Sequence, residues 1–327
     1  MSTTTRPAIE PIAGTHRPFW SVMMPTFNGD PRLVAALESV LAQAPGPDEM
    51  QIEVVDDRSS QGDPEALVER VGGGRVTYFQ QPTNVGHSAN FNTCIRRARG
   101  EIVHILHDDD AVRPGFYARL ERALRDRPEV GAAFTRSIYA DADGHWRSFS
   151  PVERATPGIV DDWLFRIASG QRVTTPSVVV RRSTYEAIGG FDQSVGTGGE
   201  DWEMWVRIAT RFPVWFEPEP LAVYRMNRTG SLTGAARGTV GLAQDMLRMT
   251  AVVESYLADH LDTERAAEAL RRSKNLYARW AIEAAWELAR AGRRNDAIRA
   301  YRLSWSASEP RAFLRSLART VSRVRRS

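Results

Sequence analysis

The sequence predicts an α/β fold, in which helices flank a mainly parallel sheet, followed by an all-α C-terminal region. From Phe19 to about Phe134, short apolar runs alternate with amphipathic stretches, as in the strand–helix units that build a parallel sheet. Beyond Gly238, Ala, Leu, Arg and Glu dominate almost without interruption, which is typical of consecutive helices.

Five strands are predicted in the first part of the chain, each from a short apolar run bounded by turn residues. They lie near Phe19 to Met24, Gln51 to Val55, Arg75 to Gln80, Glu101 to Leu106 and Val130 to Phe134. Helices are expected between the strands, because a capping residue or an early proline marks three helix starts. These signals are Pro31, Asp63 with Pro64, and Pro114.

The middle of the chain is less regular. It predicts a hairpin at Asp141 to Trp146, a helix near Gly158 to Ala168 and a strand at Ser177 to Val180. A glycine-rich loop then precedes the amphipathic run Glu200 to Arg211, which we predict to be helical. We expect three regions: a flexible N-terminus (1–17), an α/β catalytic domain (18–235) and a helical extension with a basic tail (236–327).

The composition is that of an ordinary globular protein. The 327 residues are 42% hydrophobic, enough for a large core. No run reaches the roughly 18 apolar residues of a membrane span, and Met1 to Arg17 lacks the apolar stretch of a signal peptide. We therefore expect a cytoplasmic protein. Cys94 is the sole cysteine, so no intrachain disulfide and no redox role are expected.

The positive charge is concentrated at the C-terminal end. The net charge is only +3, but arginines crowd the last 60 or so positions, including Arg323, Arg325 and Arg326. A solvated helical face with a frayed end is the simpler interpretation. As an interaction surface, such a tail suits an anionic membrane, nucleic acid or an acidic partner, and of these we favour peripheral contact with the inner membrane face over nucleic acid. The oligomeric state is left open.

Two polar clusters follow the first two predicted strands, where ligands of open α/β sheets bind. Pro25, Thr26, Phe27 and Asn28 come directly after the first strand. A proline there would end the strand and expose backbone groups to a flat base edge, although an ordinary turn would look the same. The pair Asp56 and Asp57 follows the second strand, and one carboxylate could accept the imide proton of uracil or thymine or cap a helix.

Three consecutive carboxylates follow the fourth predicted strand. The segment His107, Asp108, Asp109, Asp110 would repel itself unless a divalent cation neutralised it, and oxygen ligands are those that Mg2+ or Mn2+ prefers. An acidic, solvent-exposed turn is the alternative. We expect His107 to orient the loop rather than to bind the cation.

Another acidic pair opens a predicted helix. Gly199, Glu200, Asp201 and Trp202 stand at its start, behind flexible glycines. A carboxylate in this position is suited to act as general base on an acceptor hydroxyl, although it would also serve simply to cap the helix.

A last polar segment runs from Tyr224 to Ser231. Its side chains Arg225, Arg228 and Ser231 offer the charge and directional donors that suit a pyrophosphate. A plain surface loop is the alternative.

In this order, the segments resemble family 2 of the inverting glycosyltransferases, which have the GT-A fold with its Rossmann-like sheet. The resemblance covers about residues 19 to 232. It rests on SVMMPTFNGDPRLVAALESVLAQ from Ser21, IEVVDDRSS from Ile52, QPTNVGHSANFNTCIRRARGEIVHILHDDD from Gln81, GGFD from Gly189, GGEDWEMWVRI from Gly198 and YRMNRTGS from Tyr224.

The resemblance implies a role for each matching residue. Those around the nucleobase and donor are the Thr26 and Phe27 backbone, Asp57, Asn84 and Gly86. Those at the ribose and the diphosphate-bridging metal are Asp108 and Asp109, with Asp110 as a second ligand. Asp201 would be the catalytic base and Glu200 would place the acceptor. Further acceptor contacts are expected from Thr174 to Ser177 and from the Gly196 to Trp202 loop, including Thr175, Gly199 and Trp202.

The resemblance also implies the chemistry. The donor would be a nucleoside-diphosphate sugar, UDP-linked in preference to dTDP- or GDP-linked, used with Mn2+ or Mg2+. The acceptor hydroxyl, on a glycan, a lipid-linked sugar or a small molecule, would attack in one in-line displacement that inverts the anomeric centre. A base on one side and a cation opposite suffice for this step.

The sequence departs from the family pattern at two places. An acidic residue often stands where this chain has His107, which leaves open which aspartate binds metal. A histidine often stands near Asn227, so the pyrophosphate contact would fall to Arg225, Arg228 or Ser231.

Two other functions fit parts of the pattern. A sugar-phosphate nucleotidyltransferase shares the sheet and acidic site, but usually opens with a glycine-rich basic loop, which Pro25 to Asn28 does not provide. A catalytically inactive carbohydrate-binding or scaffold protein would not need Asp57, Asp109 and Asp201 together.

Overall fold

The protein is described from a computed structural model. The structure describes residues 6–12, 14, 17–28, 32–226 and 239–324, with side chains as far as residue 320. Arg228 and Ser231 of the expected pyrophosphate segment lie outside these residues, as do Pro31, Arg325 and Arg326, and so does the side chain of Arg323.

Ten strands and eleven α-helices are present in the described part of the chain. The strands are β1 Trp20–Thr26, β2 Met50–Asp56, β3 Thr77–Gln80, β4 Ile102–Ile105, β5 Ala111–Val112, β6 Ala132–Ala140, β7 Trp146–Phe149, β8 Gly158–Ile159, β9 Val178–Arg181 and β10 Val214–Arg225. The helices are α1 Leu33–Leu41, α2 Pro64–Gly72, α3 His87–Arg97, α4 Phe116–Leu124, α5 Trp163–Ala168, α6 Arg182–Ile188, α7 Glu200–Ala209, α8 Gly241–Leu257, α9 Thr263–Arg290, α10 Arg294–Ala307 and α11 Pro310–Val324. A short 3-10 helix spans Thr175–Ser177.

The strands form one mixed sheet in the order β3-β2-β1-β4-β9-β6-β10-β5, with β7 added beside β6 and β8 beside β10. The first four strands in this order run parallel to one another. Strand β9 is antiparallel to both β4 and β6, whereas β10 runs parallel to β6. The predicted α/β class with a helical C-terminal region is therefore confirmed.

The local start signals explain where the helices begin. Asp63 accepts a hydrogen bond from Ala66 N at 3.0 Å, with Pro64 in the first turn of α2, as predicted. The predicted helix near 158–168 is shorter than expected. Gly158 and Ile159 pair instead with Phe216 and Trp215 of β10, because a neighbouring strand offers hydrogen bonds that override local helix propensity.

Apolar residues of β1 alternate between two core layers, one on each face of the sheet. Val22 and Met24 face the layer covered by α1, α2 and α4. Met23 faces the other layer, which holds residues of α3, α5 and α7. This second layer also takes in Met249 of α8 and Tyr277 of α9, so the C-terminal helices share a core with the sheet.

Among the described residues, no helix has both the length and the hydropathy that are required to cross a membrane.

Candidate active site

The ends of β1, β2 and β4 meet at one edge of the sheet. These strands are parallel, with Thr26 opposite Asp56 and Met23 opposite Ile105, so the residues that follow them are brought together. Pro25 does not end β1 as expected, since pairing with β2 continues to Thr26. Pairing with β4 stops at Met23. Pro25 therefore lies beyond the last residue of β1 that pairs with β4, where its missing backbone N–H breaks no hydrogen bond to that strand.

The two adjacent aspartates after β2 have different surroundings. Asp56 is fully buried and accepts hydrogen bonds from Ser59, Tyr78 and Gln80, so it fastens the loop. Asp57 accepts from the backbone amides of Val85 and Gly86 at 2.7 and 2.9 Å. Burial raises the pKa of Asp57, although these two amide bonds act to lower it.

The turn that contains Asn84 and Gly86 is attached to Asp57. The side-chain amide of Asn84 donates to the Asp57 carbonyl at 3.0 Å. Gly86 has a φ of 84°, a backbone conformation that glycine adopts without strain. The predicted residues Asp57, Asn84 and Gly86 thus form one small group at the edge of the sheet.

Asn28 and Phe27 border the same group. Asn28 has a φ of 63°, its amide donates to Ser59 Oγ at 2.6 Å and its side-chain oxygen accepts from Ser60 N at 2.9 Å. Its side chain therefore ties two loops together. Phe27 is 48% exposed, which leaves ring surface for a planar group to stack on.

The acidic loop, residues 107–110, follows β4. His107, Asp109 and Asp110 each offer a ligand atom, and these atoms all lie within 4.8 Å of one another. Asp108 is directed elsewhere, since its Oδ2 accepts from Thr26 Oγ1 at 2.6 Å. The cluster thus includes His107, which sequence reasoning kept out of the ligand set, and does not include Asp108.

The charges in the acidic loop are balanced by proton sharing. Burial and the charge of Asp109 raise the pKa of Asp110 to about 6. Burial acts to lower the pKa of His107, but the hydrogen bond and charge of Asp110 outweigh it and raise that pKa to about 9. The carboxylates around His107 therefore favour its charged form, as they would favour a bound cation.

The donor set suits a divalent cation. Two carboxylates and an imidazole match the preferences of Mn2+ and, for the carboxylates, of Mg2+. His107 Nε2 is buried and has no hydrogen-bond partner among the described residues, whereas Asp110 Oδ2 is paired with His107 Nδ1 at 3.4 Å. A buried polar atom without a partner is costly, and a cation ligated by His107 Nε2 would satisfy it.

Arg225 supports the acidic loop from behind. Its backbone amide donates to Asp110 Oδ1 at 2.9 Å and its guanidinium donates to the Asp109 carbonyl at 2.6 Å. The sequence assigned Arg225 to a pyrophosphate. The structure directs at least one of its guanidinium donors to the loop instead.

Asp201 lies at the start of α7, after Gly199, whose φ is 100°. Its Oδ2 accepts from Gln171 Nε2 at 2.8 Å and lies 3.5 Å from Thr175 Oγ1. Its Oδ1 accepts from the Trp202 amide at 2.6 Å. Burial and the charge of Glu200 raise the pKa of Asp201 to about 6, while the charge of His107 acts to lower it.

Glu200 is paired with a residue that sequence reasoning missed. His87 Nε2 lies 3.1 Å from Glu200 Oε1, and Glu200 Oε2 is buried without a hydrogen-bond partner in the described part of the chain. Burial acts to lower the pKa of His87, but the hydrogen bond and charge of Glu200 raise it overall. The only available signal was that His87 opens α3 directly after Gly86.

Trp202 does not face an acceptor. Its side chain is fully buried, its indole N–H donates to the Ile167 carbonyl at 2.7 Å, and its ring packs edge-on against Tyr277. The aromatic ring belongs to the core, because the helical period of α7 turns this position inward. Of the three expected acceptor residues, Thr175 and Gly199 remain beside Asp201.

The chain matches a known sequence family over half its length. The profile described as "Glycosyl transferase family 2" matches residues 21–188. The chain is also similar to an uncharacterized protein of Mycobacterium tuberculosis, with 28% identity over 220 residues, which are 64% of this chain and 67% of that protein. It spans only 22% and 16% of the lengths of two further relatives.

Two solved structures have a similar fold. TarS of S. aureus, residues 1–349 in complex with UDP-GlcNAc, has a TM-score of 0.63 and 16% identity, covering 89% of this chain and 93% of that one. A mannosyltransferase of Pyrobaculum calidifontis in complex with GDP-Man and Mn2+ has a TM-score of 0.58 and 22% identity, covering 95% of this chain and 81% of that one.

Proposed function

The chain belongs to glycosyl transferase family 2 and is a glycosyltransferase. From that premise, we propose that it is a metal-dependent, inverting enzyme that moves a sugar from a nucleoside diphosphate to an acceptor hydroxyl. One observation carries the proposal. Asp57, the acidic loop and the Glu200–Asp201 pair come from three separate parts of the sequence and are linked through the start of α3. Gly86 N donates to Asp57 Oδ2 at 2.9 Å, His87 Nε2 lies 3.1 Å from Glu200 Oε1, and the ring of Phe91 stacks on that of His107 with 5.2 Å between centroids.

The nucleobase is assigned to the group around Asp57. Each Asp57 oxygen accepts one backbone amide and keeps a second lone pair with which to accept an imide proton. Uracil and thymine both carry such a proton, so this contact suits a UDP- or dTDP-linked donor, and of the two we propose UDP. Phe27 provides exposed ring surface beside it.

The diphosphate is assigned to the acidic loop. Asp109, Asp110 and His107 would hold Mn2+ or Mg2+ there. A divalent cation, when bound, stabilises the negative charge that grows on the departing nucleoside diphosphate. His107 must be neutral to ligate, so binding of the cation would displace its proton.

The proton of the acceptor hydroxyl is assigned to Asp201. A base with a pKa of about 6 is ionised at neutral pH and still takes up a proton readily. Gln171 and the Trp202 amide fix the carboxylate. Direct attack by the acceptor breaks the bond between sugar and phosphate in one step, so the product carries the inverted anomeric centre.

Thr175, Gly199 and Glu200 surround the acceptor in this proposal. Glu200 Oε2, which is buried and has no hydrogen-bond partner in the described residues, is available to accept from a hydroxyl group of the acceptor. The hydroxyl group belongs to a glycan, a lipid-linked sugar or a small molecule in this proposal.

The basic C-terminal end is proposed to contact an anionic membrane surface. Arg311, Arg315 and Arg319 recur every fourth residue in α11 and therefore lie along one face of that helix. Leu314, in the same helix, is 61% exposed. A helix with arginines and an exposed apolar residue suits the interface of an anionic bilayer.

Thermal unfolding with added nucleotide tests the proposed function. UDP, dTDP and GDP would each be added with and without Mn2+, and UDP with Mn2+ should raise the Tm by several degrees, because a ligand stabilises the state that binds it. Asp109→Asn should lose the cation-dependent part of the shift. Asp143→Asn is the matched control, since it alters a second, exposed acidic group.

A protein whose Tm responds to none of these nucleotides would refute the proposal. A nucleotide-dependent shift without sugar transfer to any acceptor would favour the inactive binding protein instead.

A further inference from the structure

We infer that the helical extension completes the active site, with Tyr277 of α9 and Asp245 of α8 acting as positioning residues that hold Asp201 from two sides. The inference rests on the proposed function, which makes Asp201 the base. It extends that function by giving the C-terminal helices a part in the transfer step.

The first connection runs from Tyr277 through Gln171 to Asp201. The Tyr277 hydroxyl accepts from the Gln171 backbone amide at 2.9 Å, and the Gln171 side chain donates to Asp201 Oδ2 at 2.8 Å. Tyr277 is fully buried, with its ring edge-on to both Trp202 and Trp280. A buried, ring-packed tyrosine is a rigid anchor, so the position of Gln171 is set by α9.

The turn that carries Gln171 is shaped for close contact with α9. Gly170 has a φ of 148°, and a Cβ built there would lie 2.5 Å from Leu276 Cδ2. The positive φ favours glycine at this position, and the missing side chain leaves room for Leu276 against the turn. Helix α9 and the turn are therefore in close contact beside the Gln171 amide.

The second connection runs from Asp245 to the glycine loop, residues 196–199, which leads into α7. Asp245 Oδ2 accepts from the Thr197 hydroxyl at 2.6 Å, from the Thr197 amide at 2.8 Å and from the Gly196 amide at 3.2 Å. Hydrogen bonds to an ionised acceptor are the stronger kind. Asp245 therefore fixes the backbone a few residues before Asp201.

Helix α8 also packs directly on the glycine loop. A Cβ at Gly199 would lie 3.0 Å from Met249 Cγ and 3.1 Å from Met246 Sδ, and one at Gly198 would lie 2.8 Å from Leu242 Cδ1. The glycines therefore do more than permit a turn, since they let α8 come into contact with the loop.

The two connections matter because a general base must be aligned closely with the proton that it takes. Gln171 also donates to the ionised form of Asp201, which favours that form. The charged groups that act on Asp201 are Glu200 beside it and His107 from the acidic loop, while His87 is paired with Glu200. Gln171 and Tyr277 are the uncharged groups on the side of the extension.

Steady-state kinetics of three variants test the inference. Gln171→Leu, Tyr277→Phe and Asp245→Asn should each lower kcat, on the order of 10–100-fold for a misplaced base, while nucleotide affinity and the KM for the donor stay at the wild-type level. Asp245→Asn should also raise the KM for the acceptor, because the glycine loop borders it. Tyr301→Phe, on α10, is the matched control and should not change kcat.

Two readouts separate positioning from a general loss of structure. Gln171→Leu should move the acidic limb of the kcat profile to higher pH, because the donor that favours ionised Asp201 is gone. The double variant Tyr277→Phe with Gln171→Leu should be no slower than Gln171→Leu alone, since both changes break the same chain of contacts.

The outcomes also separate this inference from the proposed function. If Asp201→Asn is inactive while the three variants keep the wild-type kcat and pH profile, the positioning role is refuted and the base assignment stands. Variants that only lower the Tm, with unchanged kcat for the folded enzyme, refute it as well. If Asp201→Asn itself turns over normally, the proposed function fails first.

Discussion

Thr26 and Asp108 join the ends of two neighbouring strands through one hydrogen bond. Thr26 Oγ1, at the end of β1, donates to Asp108 Oδ2, in the acidic loop, at 2.6 Å, and both side chains are buried. The residues are 82 positions apart in the sequence. The contact therefore couples the group assigned to the nucleobase to the loop assigned to the diphosphate.

Removing the Thr26 hydroxyl should weaken nucleotide binding. Thr26→Val keeps the shape of the side chain but leaves the buried Asp108 carboxylate short of a donor, which costs about 1.5–3 kcal/mol for a bond to a charged group. Titration calorimetry with UDP and Mn2+ should show weaker binding by Thr26→Val, because Asp108 no longer holds the acidic loop against the end of β1. Thr26→Ser, which keeps the hydroxyl, should bind nearly as well as the wild type, and equal affinities for all three proteins would contradict the coupling.

Asp201→Asn should abolish transfer and leave donor binding almost intact. An amide cannot take the proton of the acceptor hydroxyl, and general-base catalysis contributes about 10²–10⁴-fold to rate. The measurement is kcat beside the nucleotide affinity of the same preparation. Unchanged turnover would refute the base assignment.

The rate should fall in acid as Asp201 becomes protonated. Burial and the charge of Glu200 raise the pKa of this carboxyl group to about 6, and the base acts only when ionised. Thus kcat should be level above the pKa and fall about tenfold per pH unit below it. Glu200→Gln removes the neighbouring charge and should move the limb to lower pH. A wild-type rate that stays level well below pH 6 would show that the base of the reaction does not have a pKa near 6.

Gly190→Ala should destabilise the fold. A Cβ at Gly190 would lie 2.2 Å from Asn92 Oδ1, and Asn92 is the residue that accepts from Phe191 N and donates to Phe191 O. Displacing Asn92 leaves those buried backbone groups unpaired, at a cost of about 1–3 kcal/mol. Urea unfolding measures the loss. Gly46→Ala is the control, since a Cβ there has no atom within 4 Å, and an equal loss in both variants would rule out the Asn92 clash.

Deleting the residues after Arg319 should weaken binding to anionic vesicles and leave activity on a soluble acceptor unchanged. The deletion removes Arg323, Arg325 and Arg326. Each arginine near an anionic surface contributes roughly 1 kcal/mol to the free energy of binding. Vesicle sedimentation at low and high salt is the measurement. Equal binding by the full and shortened chains would show that Arg323, Arg325 and Arg326 do not carry the membrane contact.

The parts of the fold that the sequence predicted are those with strong local patterns. Strands β1, β2 and β4 are short apolar runs, and each was expected within a few residues of where it lies. Strand β10 was recognised only near Tyr224, because Pro218 and Pro220 interrupt its pattern. The structure accommodates them with shifts of register between Glu217 and Ala222.

The residues of the candidate site also divide into those with a local sequence signal and those without one. Asp57, Asp109 and Asp201 follow strands or a glycine loop directly, so their neighbours in the sequence point to them. His87, Gln171, Asp245 and Tyr277 reach the site from distant segments. No short pattern marks such residues, because tertiary packing alone brings them near Asp201.

The core that α8 and α9 share with the sheet has a consequence for how such chains diversify. Met246, Met249 and Tyr277 belong to the same apolar layer as Trp202, the residue after Asp201, so under the proposed function exchanging the C-terminal segment between homologues would remodel the acceptor side and leave the Asp57 side unchanged. Chimeras of that kind offer a route to new acceptors from an unchanged donor pocket.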